Sequence, residues 1–567
     1  MERFVGLVLA AVLAAACGRT NKDTSNPDAL AQAGAGAGVG TAGHSGTTAD
    51  AGTGSVGGFA PCTVSATLAP AGLRPLGQAE LRNELAALGE PLTGMELPAR
   101  FSRIYQLVDL GSNSQQPDLD SGFLQKHATF VAGLAERVTA DAERLGQLLS
   151  CDVAGDAVLC TAHLFDFVME RLLRGLADEG RRAQLEAVFA EEEQLSGFQG
   201  GARALLGAAL QAPEFLHHVE LGRPVKEDGV AKMRLTDLEL ASRLSFLFWG
   251  SGPDAELLQV ARAGRLSEPS ELAAAAQRLL NDPRAELGIA RFYRELLGID
   301  EGRRFDADSG VAPDVLVSMD REFSRFVWHA TLDEGKGDAA SLVEPVSWVN
   351  GELADYYGWA GVEGDAFRAV ELDPTRYAGL LTLPAWLTRA SGPSFTHPSV
   401  RGWWVARGLL CASVPPEPEG VAQSAGPPNL TERQRLAVHS SQPACVACHR
   451  VVDPPGLALE HFDAVGRYRE DDDGLVIDTS DLPALNDAGS FDGARGLADQ
   501  VLAASTERFC LTQQWIRFAL GAALLDEGGG YECPSELELL SSRAQSVPEL
   551  LVALSQTEAF RYRAPSP

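Results

Sequence analysis

No stretch of this 567-residue chain holds about 20 uninterrupted apolar residues, so no transmembrane helix is expected. Basic side chains are scarce: 47 Lys and Arg face 77 Asp and Glu, a formal net charge of −30. Nucleic acid is thereby excluded as a partner, because its phosphates would be repelled rather than neutralised. The acids are spread without a long run, which suits either a solubilising surface or a face that docks a cationic partner such as a basic redox protein. Methionine is sparse as well, with five in all and none after Met319. No serine-hydrolase elbow, Walker loop or dinucleotide fingerprint is present, so no motif names an enzyme class.

What is there is the balance of a globular protein, 45% hydrophobic and 22% charged, in a chain too long for one ordinary core. Glu2 and Arg3 precede an apolar run from Phe4 to Ala16, too short for a bilayer but suited to a signal-peptide core. Ala14, Ala15 and Ala16 then lead into Cys17 and Gly18, which looks like a lipoprotein cleavage box with Cys17 as the lipidated residue. Ordinary cleavage near the same alanines is the alternative. The expectation is an exported protein of the periplasm or cell envelope, held to a membrane by its N-terminal lipid. Thr20 to Ala60 is dominated by Gly, Ala, Ser, Thr and Asp and reads as a flexible tether.

The body beyond reads as helix after helix. Thr236 and Glu239 form a capping-box pair ahead of Leu240, Leu244, Leu247 and Phe248 at helical spacing. Ser267 to Leu280 opens with Pro269 and stops at Asn281, Asp282 and Pro283, and Ala285 to Leu297 ends at Gly298. Polar or charged seams fall at 222–232 and 300–312, a Pro-rich extended stretch at 414–428, and a turn at Asp471 to Gly474. The fold class is therefore mainly α, in several consecutive helical modules with a cytochrome c-like motif module near the C-terminus. The boundaries are a signal segment with lipobox at 1–17, a linker at 18–66, and modules at 67–150, 151–222, 230–360, 373–474 and 485–563.

Nine cysteines stand at 17, 62, 151, 160, 411, 445, 448, 510 and 533. Reserving Cys17 for lipid and Cys445 with Cys448 for another role leaves six, which suits disulfides in an oxidising compartment. Cys151 with Cys160 and Cys510 with Cys533 are the natural local pairs, leaving Cys62 with Cys411; fifteen connectivities remain open.

Cys445, Val446, Ala447, Cys448 and His449 have the spacing of a haem c attachment motif. Two thiols about one helical turn apart suit the two vinyl-derived carbons of one haem, and the adjacent imidazole suits its iron. In a chain of this composition the pattern arises by chance about 0.003 times, which separates it from coincidence. A redox dithiol, half of a zinc site completed by His449 and His439, and a disulfide staple are the other readings. For the sixth iron position a downstream Met is ruled out, leaving His439 first, then His461 and His397.

Further stretches carry a resemblance: Arg234 to Trp249, Pro253 to Leu257, Ala263 to Leu266, Asp282 to Ala285, Val349 to Gly358, Arg401 with Gly402, Leu410 with Cys411, Pro415 with Pro416, His439, and Asp453 to Gly456 running on to Arg469. With Cys445 to His449, these make the chain resemble the planctomycete-type secreted cytochrome-like proteins, built from adjoining domains of unknown function, from about Leu73 to Arg563. The resemblance implies five consecutive modules, the fourth carrying the haem motif, and no assigned reaction. Where such proteins open their first module with Arg-Arg-Leu-Thr, this chain has Leu73 to Leu76. The family-like Arg401, Asp453, Asp463 and Arg467 fit haem propionates or the His449 ring, or else structural ion pairs and turns. The leading expectation is an electron carrier with covalent haem c and a redox partner protein. A haem-dependent or polymer-degrading envelope enzyme and a non-catalytic scaffold with a structural CxxCH are the rivals.

Overall fold

The computed structural model describes residues 71–87, 121–227, 229–299, 311–392, 395–415, 430–441, 443–485, 489–507, 509–520, 540 and 544–565. The expected lipobox at Cys17, the linker, Cys62, most of the Pro-rich stretch and Cys533 lie outside the described residues. The body is mainly helical, with only short antiparallel ladders. No helix among the described residues is long and apolar enough to cross a membrane.

Two apolar cores organise the described residues. The first runs from Leu76 to Leu216 and takes in Phe246. Around it lie strand β1 (Gly72–Pro75) and helices α1 (Gln78–Ala87), α2 (Ser121–Thr139), α3 (Ala142–Leu149), α4 (Ala157–Asp166) and α5 (Glu179–Ala209). Helix α3 shows how locally these elements are specified. Asp141 accepts the amides of Glu143 and Arg144 at its start, and Ser150 ends it in the left-handed conformation at φ 52°.

A polar stretch expected as a seam instead forms strands. After β2 (His217–Glu220), which pairs with β1, β3 (Arg223–Glu227) and β4 (Val230–Arg234) make a hairpin. Its residues look like a polar seam in the sequence because the ladder is held by backbone hydrogen bonds while burying little side chain.

Among the described residues, the second core draws on positions from Leu235 to Phe560. Helix α6 (Asp237–Trp249) opens with the expected capping box, Thr236 and Glu239 exchanging side-chain and backbone hydrogen bonds, and every residue from Glu239 to Trp249 is buried. Helices α7 (Ala255–Arg262), α8 (Pro269–Leu280) and α9 (Ala285–Leu296) follow with the expected punctuation, Pro269 in the first turn of α8 and Gly298 left-handed after α9. Next come α10 (Pro313–Leu332), the β5/β6 pair (Val346–Val349 and Arg368–Glu371), α11 (Gly351–Tyr357), α12 (Pro384–Arg389) and α13 (Pro398–Gly408). The motif region supplies α14 (Glu432–Ser440) and α15 (Pro443–Leu457), and α16 (Gly493–Glu507), α17 (Cys510–Leu520) and α18 (Val547–Ser555) complete the core. The expected turn at Asp471 to Gly474 is a hairpin whose corner, Asp473 and Gly474, has both φ angles positive.

A buried charged network bridges the two cores. Glu80 on α1 meets His218 of β2 at 3.0 Å and Arg291 of α9. Burial alone would raise the Glu80 carboxyl, but His218 and Arg291 hold it well below its ordinary value. Burial, with Arg74 nearby, pushes the His218 imidazole down to about 4, so the ring is neutral at pH 7 and donates to ionised Glu80. The last strand, β7 (Tyr562–Arg563), pairs with β4 and sends fully buried Arg563 to Glu220 at 2.6 Å.

Cysteine pairing departs from expectation in one respect. Cys151 and Cys160 are bonded as the local pairing has it, but Cys411 bonds Cys510 across 99 residues. The expected Cys510–Cys533 and Cys62–Cys411 pairs are thus corrected. The second core brings the end of α13 against the start of α17, where the Cys510 sulfur also lies 3.6 Å from the Gly408 carbonyl oxygen. Proximity in the chain was a poor guide where packing set proximity in space.

Candidate haem-attachment site

Cys445, Cys448 and His449 share helix α15, and spacings of three and four residues put them on one face. The other four described cysteines are all disulfide-bonded, whereas Cys445 and Cys448 are not. Cys445 is buried, whereas Cys448 and His449 are half-buried, so the motif face reaches the surface at those two residues.

The helix is held in place by an unusually close crossing. A Cβ on Gly402 of α13 would fall inside the Val452 carbonyl oxygen of α15, and one on Gly456 inside the Pro398 carbonyl oxygen. Only two glycines, one on each helix, allow the backbones to approach this far. Pro454 and Pro455 lie inside α15, and since neither has an N–H, the carbonyls of Arg450 and Val451 receive no helical hydrogen bond.

Beyond the crossing, Arg401 is fully buried and its guanidinium gathers the carbonyls of Leu459, Phe462 and Asp463 at 3.1, 2.7 and 2.7 Å, with the Ser391 hydroxyl at 2.8 Å. Burial lowers its pKa to about 10, partly offset by buried Glu460. This arginine fastens the turn after α15 through its two terminal nitrogens, and its Nε is buried without a hydrogen-bond partner. Asp463 likewise closes a turn, accepting the amides of Val465 and Arg467 and pairing with the Arg467 guanidinium at 3.2 Å.

Asp453 does something different. It lies one turn beyond His449 on α15, with Oδ1 2.9 Å and Oδ2 3.1 Å from the His449 Nδ1. Ser399 of α13 donates its hydroxyl to the same Oδ1 at 2.7 Å. With Nδ1–H given to Asp453, Nε2 is left bearing the lone pair that a metal takes. Nothing in the sequence pattern pointed to Ser399.

His439, at the end of α14, is brought to the site: its ring meets that of His449 edge to face at 4.7 Å between centroids. The two imidazoles touch, and a sixth-ligand role for His439 needs a porphyrin between them. His461 is turned elsewhere, with Nδ1 on the Arg469 carbonyl at 2.9 Å and its ring stacked on Tyr468. His397, just before α13, packs edge-on against Phe395. Among the described residues, no group of three or more His, Cys, Asp or Glu is arranged to hold a metal ion.

Two thiols outside the described disulfides and an imidazole anchored through Nδ1, together on one helix face, are the donor set that covalent haem c requires, and the residues fit the group. Zinc would need further ligands to converge with them.

A second buried carboxyl lies apart from this site. Glu322 of α10 accepts the Tyr357 hydroxyl at 2.7 Å and the Ser347 hydroxyl. Burial pushes it up to about 7, the two hydroxyls opposing. It sits at the base of a narrow cleft lined by Tyr357, Trp359, Tyr377 and Tyr468.

Against known families, residues 235–359 match PSD4, a protein of unknown function (DUF1592), and residues 377–472 match PSCyt3, a protein of unknown function (DUF1588). Both are domains of unknown function found in planctomycete-type cytochrome-like proteins. The second match spans α13 to α15 with the motif, and the first core and the C-terminal helices lie outside both. No curated protein and no solved structure matches the chain.

Proposed function

We propose that the protein is an extracytoplasmic electron-transfer protein carrying one haem c, attached through Cys445 and Cys448 and ligated by His449. The observation that carries this reading is the state of the motif. Its two thiols are the described cysteines left out of disulfides, and the adjacent imidazole is anchored through Nδ1 with Nε2 bare. Bound there, haem supplies a one-electron couple that cannot dissociate.

The protein's own residues then have separable tasks. Cys445 and Cys448 would hold the group covalently and His449 would ligate its iron, while Asp453 with Ser399 holds the His449 ring. Gly402 and Gly456 keep α13 and α15 in register. The leader and Cys17 place the body at an envelope membrane, and the net charge of −30 favours a cationic redox partner.

The test is expression of the full chain in a host that exports it and attaches haem to cytochromes c. The expected product is red, heavier than the mature polypeptide by one haem, and gives a c-type pyridine haemochrome spectrum that Cys445→Ala with Cys448→Ala abolishes. A colourless protein of polypeptide mass from that host overturns the reading.

A further inference from the structure

We propose that Asp453 is a positioning residue that makes His449 an electron-rich ligand and thereby sets a low reduction potential at this site. The proposal rests on the haem reading above and adds the direction in which the site is tuned.

Three features of the geometry carry it. Both Asp453 oxygens lie within reach of the His449 Nδ1, at 2.9 and 3.1 Å, so the ring N–H points into a carboxylate rather than to water or a backbone carbonyl. The carboxylate is buried, with the side chain 10% exposed, and no lysine or arginine among the described residues is ion-paired to it. Its one other hydrogen-bond partner among the described residues is the Ser399 hydroxyl, a neutral donor from a different helix, at 2.7 Å. The negative charge is therefore directed at the imidazole and not spent on a guanidinium or ammonium.

The chemical consequence follows from where the proton is drawn. A carboxylate accepting Nδ1–H pulls that proton away from the ring, and the electron density left behind strengthens donation from Nε2. Stronger donation and a nearby uncompensated charge both favour the oxidised, more positive iron, which lowers the potential. The Ser399 hydroxyl opposes this, because each hydrogen bond given to the carboxylate weakens its pull on the ring.

Opposite signs for two neighbouring residues distinguish this role from a merely structural one. In spectroelectrochemical titrations of the haem-loaded full chain, Asp453→Asn keeps an acceptor for Nδ1–H and removes the charge. Its oxidised-to-reduced ratio at a fixed potential is expected to fall about tenfold, an upward shift of ~59 mV for a one-electron couple. Ser399→Ala is expected to move the potential downward by less. An Asp453→Asn protein with attached haem and an unmoved potential overturns the proposal, as does a Ser399→Ala shift in the same direction as Asp453→Asn.

A measurement on haem-free full chain keeps the test independent of haem loading. In two-bond ¹H–¹⁵N spectra of histidine-labelled protein, His449 is expected as the Nδ1–H tautomer in the parent. An Nε2–H tautomer there overturns the proposal while leaving the thioether reading intact. Parent protein that takes up no haem in a competent host overturns the proposed function instead.

Discussion

Neutral His218, locked between the two cores, makes the protein acid-sensitive in a window that can be calculated. An imidazole free in the unfolded chain has a pKa near 6.5, and in the folded protein burial lowers it to about 4. Because the folded value is depressed, the contribution is fully present above pH 6.5 and is lost as pH falls toward 4. A difference of about 2.5 pKa units at 1.36 kcal/mol each corresponds to about 3 kcal/mol by pH 4. Glu80 stays ionised across this window, so protonation of His218 and not of its partner sets the slope. Other groups titrate as well, and for that reason the perturbation is His218→Gln, whose amide still donates to Glu80 and does not titrate. Urea unfolding followed by tryptophan fluorescence at a series of pH values reads the parent-minus-variant gap. That gap is expected to shrink by about 3 kcal/mol between pH 7 and pH 4. A gap constant across the range refutes the buried neutral imidazole, and a gap that widens toward acid shows His218 to be charged in the fold.

Glu322→Gln is expected to show the reverse trend. The folded carboxyl is raised to about 7 from an ordinary 4.5, so its contribution is present below pH 4.5 and lost as pH rises through 7, about 3 kcal/mol in the same urea comparison. Gly402→Ala forces a methyl group against the Val452 carbonyl and is expected to cost roughly 3 kcal/mol or more in thermal unfolding. Gly402→Ala with Gly456→Ala is expected to cost less than the sum of the single changes, since separating the helices once relieves both. Replacing Cys411 and Cys510 by Ser opens a loop spanning 99 residues and is expected to cost about 4 kcal/mol, measured as a lower urea midpoint. His439→Ala removes an edge contact to His449 and is expected to leave haem attached, by mass and pyridine haemochrome.

The helices were legible because their signals are local: a capping box at Thr236 and Glu239, Pro269 inside a first turn and Gly298 past a last one each act within a few residues. The CxxCH segment was legible for the same reason. What escaped depends on contacts distant in the chain. Ser399 and Asp453 are 54 residues apart and are joined by the α13/α15 crossing. The glycines that permit that crossing look like ordinary helix weaknesses until the partner helix is known. Cys411 and Cys510 meet because a core closes between them, and the β3/β4 hairpin hides in polar residues because its ladder needs only backbone.

The pairing of Tyr562 and Arg563 with Met233 and Arg234 has a temporal meaning. Glu220 takes its counter-charge from Arg243, which is made soon after it, and also from Arg563, which is made 343 residues later. Until Tyr562 and Arg563 dock, the sheet beside β4 lacks its outer strand and one of the acid's two ion-paired cations is missing. The sheet at β4 and the charge balance of Glu220 therefore depend on residues more than 300 positions downstream, and a polypeptide lacking Tyr562 and Arg563 leaves that edge of β4 unpaired and that acid partly uncompensated.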